Sequence, residues 1–238
     1  MLVGTTLPQF NADAEAAIVA AVRAEELGLD GVFVFDHLWP IGRPDGDVLE
    51  CFTLLGALAQ ETARIRLGPL VARVGLLPDA VLIHTLMSLH RMLGDRLIAG
   101  VGAGDRLSAA ENLAYGVAYP PVADRIRAVD VVCRQLRVAG VETWIGGRSA
   151  AIRAVAAAAA DALNVWAATD AEVAAEGADV PRITWGGQVD LTVMDSAALA
   201  ERLRSIETAG ADFAVCAPIN TPWPAALEML ARARDAVH

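Results

Sequence analysis

The stretch GVFVFDHLW, residues 31–39, sets an aspartate, a histidine and a tryptophan directly behind an apolar run. Imidazole near a carboxylate titrates around neutrality and can give or take a proton, so Asp36 and His37 are candidate groups for acid–base chemistry. Two arrangements are open: the two side chains bond each other, or Asp36 holds the loop backbone while His37 faces a ligand. A second stretch, RLIAGVGAGD, 96–105, ends in Gly102, Ala103, Gly104 and Asp105. Glycines let backbone approach a flat ligand, or simply make a tight turn from strand to helix, and Asp105 adds a further carboxylate. In a third, WIGGRSAAIR, 144–153, Gly146, Gly147, Arg148 and Ser149 lie between a strand and a helix. Helix-start N–H groups, a hydroxyl and a guanidinium can cradle a phosphate. An N-capping Ser149 and a solvated Arg148 account for the same residues. Trp166 and Trp185 end later apolar runs and are candidates for walling a pocket, although tryptophan more commonly packs in a core.

The elements that must position these groups alternate. Short apolar runs at 3–7, 31–35, 65–72, 96–102, 142–146, 162–166, 182–187 and 212–217 read as strands. Segments of helical period at 12–27, 48–63, 78–93, 121–138, 148–160, 195–208 and 223–236 lie between and after them. Segment 106–120 reads as a loop. Eight strands interleaved with helices in 238 residues imply an α/β fold, a (β/α)8 TIM-like barrel, in one domain spanning 1–238. A doubly wound sheet would carry a glycine fingerprint after the first strand, where this chain has TTLPQF. In a barrel, the residues behind each strand gather at one face, which brings Asp36, His37, Gly102–Asp105 and Gly146–Ser149 together.

The formal net charge of −10, without clustered arginines, argues against nucleic acid as a partner. No apolar run reaches the roughly 18 residues of a membrane span, and no signal peptide is apparent at the N-terminus. Cys51, Cys133 and Cys216 are widely separated, which fits reduced thiols in the cytoplasm and neither a disulfide framework nor a zinc site. His84 and His90 are six residues apart and do not share a helix face, so no metal site is expected.

Four motifs in order, AEELGLDGVFVFDHLW, RIRLGPLVA, LHRMLGDRLIAGVGAG and WIGGRSAAIRAVAAAAADALNVW, resemble the luciferase-like superfamily of flavin- and coenzyme F420-dependent oxidoreductases. The resemblance implies a barrel binding F420, or alternatively FMN, at its C-terminal face. It implies a non-prolyl cis peptide near Val71, Ala72 and Arg73, behind the cofactor ring. The glycine loop Gly102, Ala103 and Gly104 would pass close to the ring, with Gly146, Gly147, Arg148 and Ser149 at the phosphate. In the F420-dependent sugar-phosphate dehydrogenases, the strand 2 loop supplies Asp-His and a nearby Trp, which implies roles for Asp36, His37 and Trp39. Asp105 stands where those enzymes carry a glutamate. The excursion usual after strand 7 is shortened here to VDLTVMDS, 189–196, leaving the 106–120 segment or a partner to close the site. A homodimer acting on a small molecule is implied. Three functions follow: F420-dependent hydride transfer, with His37 moving a proton, Asp36 orienting it and Asp105 a secondary acid or base; an FMN-dependent monooxygenase or reductase; or a flavin-binding protein without turnover.

Overall fold

The computed structural model describes residues 1–176 and 180–238. Its strands are β1 (Leu2–Thr6), β2 (Gly31–Val34), β3 (Arg66–Pro69), β4 (Ala72–Arg73), β5 (Ile98–Gly102), β6 (Glu142–Gly146), β7 (Ala162–Trp166), β8 (Ile183–Asp190) and β9 (Ala211–Ile219). The helices are α1 (Ala14–Glu26), α2 (Cys51–Glu61), α3 (Asp79–Leu93), α4 (Arg106–Ala114), α5 (Val122–Val138), α6 (Ala150–Ala159), α7 (Asp170–Glu176), α8 (Ser196–Thr208) and α9 (Trp223–Val237).

Alternation along the strands explains how they assemble. In β2, Val32 and Val34 join the large cluster shared with the helices, while Phe33 belongs to a separate cluster with Leu70, Ile98, Trp144, Ala162, Phe213 and Val215. Successive side chains of a strand point to opposite faces, so the first cluster is the layer between sheet and helices and the second is the inside of a ring. Phe33, Trp144 and Phe213 fill that inside with centroid separations of 5.1 to 5.8 Å. All pairings are parallel, in the order β3-β2-β1-β9-β8-β7-β6-β5-β4. Segments β3 and β4 are two halves of one strand, and a bridge from Leu67 to Leu97 brings β3 beside β5, so the sheet nearly closes on itself. This is the expected TIM-like barrel.

Three local expectations change. The strand expected at 65–72 is broken at a cis peptide between Leu70 and Val71. The 106–120 segment is not all loop, because it contains α4. Strand β8 continues to Asp190, leaving only residues 191–195 before α8. A short helix, α7, was not legible in the apolar pattern, since it buries only Val173 and Glu176.

Closure depends on residues without side chains. A Cβ at Gly68 would lie 1.9 Å from the Ile98 carbonyl oxygen, and one at Gly100 would lie 2.2 Å from that of Pro69. Replacing Gly100 by Ala is expected to destabilise the protein by about 1–3 kcal/mol or more through overpacking. Gly56, inside α2 with nothing within 4 Å of its added Cβ, is the contrast: Gly56→Ala should gain up to about 1 kcal/mol of helix propensity. Denaturant unfolding of the two variants checks this pair, and equal midpoints would contradict the closure argument.

Candidate active site

A cavity of about 1040 Å³ opens at the C-terminal ends of the strands. Its walls come from the loops behind β1, β2, β4, β5, β6 and β9, which is where the barrel gathers them.

His37 lies on the cavity wall, 18% exposed, and its Nδ1 is 2.6 Å from Glu111 Oε1. Glu111, 1% exposed, accepts two further hydrogen bonds at Oε2, from the Leu38 N–H at 3.1 Å and from Arg73 Nη1 at 3.0 Å. Burial alone pushes the Glu111 carboxyl up. The His37 hydrogen bond, the Leu38 N–H and the charges of His37 and Arg73 outweigh it and hold the group below its ordinary value. An ionised carboxylate only accepts hydrogen bonds, so His37 Nδ1 carries the proton and Nε2 is the ring nitrogen left for a ligand.

Helix α4 delivers Glu111, and several contacts fix that helix. Asp105 is its N-cap, accepting from the N–H groups of Leu107 and Ser108 while the Ser108 hydroxyl returns a bond from the Asp105 backbone N–H. Asn112 donates to the Gly75 and Ala118 carbonyls, both at 3.0 Å. The Tyr119 hydroxyl donates to the Asp105 carbonyl, and the Arg125 guanidinium lies 3.9 Å over the Tyr119 ring while its Nε donates to the Ala103 carbonyl.

Asp36 neither bonds His37 nor holds its own loop; it accepts the Arg73 backbone N–H of β4 at 2.7 Å. Burial raises its carboxyl to about 6, against the opposing pull of that hydrogen bond and of the Arg73 charge. Asp105 lines the cavity but serves as a cap. Burial raises it, yet its bonds to Ser108 and Leu107 bring it below the usual range, which suits a capping carboxylate better than an acid. The carboxylate that meets His37 is Glu111, six residues further on. Val71, Arg73, Gly102, Ala103, Gly104, Gly146, Gly147, Arg148 and Ser149 all line the cavity, whereas Ala72 is buried outside it. Ser149 caps α6, accepting from Ile152 N, and Arg148 pairs with Glu172 at 2.6 Å.

Of the three candidate tryptophans Trp39, Trp166 and Trp185, Trp166 alone lines the cavity, edge-on to Phe35 at 5.7 Å. A Cβ at Gly186 would lie 2.6 Å from the Trp166 ring, so that glycine makes its room. Trp185 faces the helices, donating Nε1 to the Ala168 carbonyl at 3.0 Å. Trp39 is buried against Tyr115, 6.1 Å away, outside the cavity. Strand parity separates Trp166 from Trp185, because the inward residues of β8 are Thr184, Gly186 and Gln188.

The sequence model of the luciferase-like monooxygenase family matches residues 2–137, more than half of the chain. The chain belongs to that family. An F420-dependent glucose-6-phosphate dehydrogenase of Kineococcus radiotolerans is 31% identical over 118 residues, which cover 49% of this chain and 34% of that protein. The match therefore spans about a third of the curated relative's length. Among solved structures, an F420-dependent secondary alcohol dehydrogenase in complex with an F420–acetone adduct has a TM-score of 0.83 at 14% identity, over 100% of this chain and 99% of the other. The oxygenating constituent of 3,6-diketocamphane monooxygenase from Pseudomonas putida, a type II Baeyer–Villiger enzyme in complex with FMN, has a TM-score of 0.64 at 14% identity, over 87% and 73%. Both share the fold. No described helix is long and apolar enough to cross a membrane.

The raised Asp36 carboxyl gives a pH prediction. The fold prefers the neutral carboxyl, so the stability it contributes is fully present below the ordinary value of 3.8 and is lost as pH rises through about 6. That gap corresponds to roughly 3 kcal/mol. The unfolding free energy of Asp36→Asn should therefore rise against that of the wild type by this order between pH 4 and pH 8. A difference independent of pH would contradict the assignment.

Proposed function

We propose that the protein is an oxidoreductase that binds coenzyme F420 in this cavity and exchanges a hydride with a small organic molecule there. One observation carries the reading: His37 lines the cavity with Nδ1 tied to Glu111, which Arg73 holds in turn, so that Nε2 is the ring nitrogen left without a protein partner. The likeness to F420-dependent dehydrogenases over about half of the chain supports it.

The donor set fits the cofactor. Arg73 is buried in the wall with Nε and Nη2 lacking partners, and these can serve the oxygens of a deazaflavin ring. Val71 offers an apolar surface for the ring face and is seated there by Gly102, where a Cβ would lie 2.3 Å from Val71 Cγ2, while Ala103 and Gly104 continue the same wall. The first-turn N–H groups of α6, with Gly146, Gly147, Arg148 and Ser149, suit the phosphate. When bound, F420 supplies a carbon that accepts or donates hydride.

The protein's own part is positional and protonic. His37 Nε2 takes the hydroxyl proton of the substrate as it is oxidised, or returns it in reduction. Glu111 fixes the imidazole ring and stabilises the imidazolium that forms, and Arg73 keeps Glu111 ionised. Asp36 anchors the backbone of β4 and so the wall on which Arg73 stands. The runner-up, an FMN-dependent enzyme, draws on the shared fold of the camphane monooxygenase.

Fluorescence titrations of the apoprotein separate the readings. Saturable binding of F420, with FMN at least tenfold weaker, is expected. Preferential FMN binding with NAD(P)H-linked reduction would favour the runner-up, and FMN binding without reduction by any donor would favour a flavin-binding protein without turnover. For His37→Ala, turnover should drop about 10²- to 10⁴-fold with F420 affinity retained; unchanged turnover would remove His37 from the mechanism.

A further inference from the structure

We infer that the substrate of this site is an uncharged alcohol or ketone with an apolar body, and not a phosphorylated sugar. The inference rests on the F420 reading above and deepens it.

Strand order places the loops behind β2, β1 and β9 side by side on the rim. These loops bring Phe10, Ile41, Ile219 and Trp223 into the cavity wall, and the start of α5 adds Val122 and Ile126. Ile41 and Val122 are 55% and 58% exposed, so the mouth itself is apolar. Deeper in, Phe10 stacks on Phe35 at 5.8 Å, and Phe35 meets the edge of Trp166. Bringing a phosphate dianion to such a surface requires cations or free N–H donors, since an unpaired charge removed from water costs several kcal/mol or more.

Those donors are scarce. The chain contains no lysine. Among the described residues, the arginines lining the cavity are Arg73 and Arg148. In the reading on which this inference rests, both serve the cofactor: Arg73, paired with Glu111 at 3.0 Å, keeps its two remaining nitrogens for the ring, and Arg148, paired with Glu172 at 2.6 Å behind β6, stands at the cofactor phosphate, so neither is left for a second phosphate. His37 is tied to Glu111, while Asp36 and Asp105 add negative charge to the same walls. Arg43 and Arg106 are exposed and lie outside the lining. A net charge of −10 further disfavours the approach of a dianion.

The neutral polar groups point the same way. Gln9 donates to the Phe35 and Leu49 carbonyls and accepts the Phe35 N–H, and Asn11 donates to the Pro8 carbonyl while accepting the Asp13 N–H. Both amides are thus committed to backbone, which leaves Gln188, at the neighbouring β8, as the lining amide without a partner among the described residues. A polyhydroxylated sugar would leave several hydroxyls buried without partners, whereas one hydroxyl or carbonyl needs only His37 Nε2.

The test is equilibrium binding, followed by tryptophan fluorescence, since Trp166 and Trp223 line the cavity. Protein loaded with F420 is titrated with 2-hexanone and, separately, with glucose 6-phosphate. The ketone should saturate, with glucose 6-phosphate binding at least tenfold more weakly. Ile41→Arg, at an exposed position, should weaken the ketone and strengthen the phosphate ester severalfold each. Equal or tighter binding of glucose 6-phosphate to the wild type, or no saturable change with the ketone, would overturn the inference. Failure of F420 to load would defeat the cofactor reading separately. The ketone-to-phosphate ranking is then measured on the free protein, where the same cavity predicts the same order.

Discussion

A carboxylate that is almost wholly out of water must be matched bond for bond, and Glu111 sets that requirement for this molecule. Its two oxygens receive one imidazole N–H, one backbone N–H and one guanidinium N–H, from three different segments of the chain. Removing one member of such a buried set costs about 3–5 kcal/mol, because the charge left behind has no solvent. The β2 loop, β4 and α4 are therefore coupled through a single side chain. The same coupling gives the imidazole one orientation and one free nitrogen.

The barrel makes this set affordable by fixing its members on rigid elements. Below the cavity, Phe33, Trp144 and Phe213 pack the inside of the ring, and glycines at 68 and 100 allow β3 and β5 to approach. Above it, the clamp of Arg125 and Tyr119 seats α4, whose inward face is Ser108, Glu111 and Asn112. Asp36 serves the same end from below, since its bond to the Arg73 backbone sets where the guanidinium begins. The charged site is thus carried by an apolar ring and closed by one polar-faced helix.

Much of this was legible in the sequence, for a physical reason. Strands covered on both faces read as apolar runs, and helices on a barrel read at period 3.6, so the order of elements and the cluster of loops at one rim followed. What the pattern hid was α4. It buries Ser108, Glu111 and Asn112 and exposes Leu107 and Leu113, the latter at 70%, which inverts the usual signal. Polar residues at i, i+3 and i+4 behind a capping aspartate were the available clue, and they would have pointed to Glu111 in place of Asp105. Trp185 was misplaced for a simpler reason: parity along β8 puts it on the helix side, one residue from the inward Gly186. Trp39 followed the β2 loop away from the cavity to pack on Tyr115, a contact that depends on where α4 lies.

The central claim is that Glu111 holds the His37 Nδ1 proton and leaves Nε2 bare toward the cavity. Nitrogen NMR of the imidazole in uniformly ¹⁵N-labelled protein, at a pH where the ring is neutral, tests it directly. The account predicts a protonated Nδ1 and an unprotonated Nε2 in the wild type, and a mixture of tautomers in Glu111→Gln. A wild-type ring carrying its proton on Nε2 would contradict it.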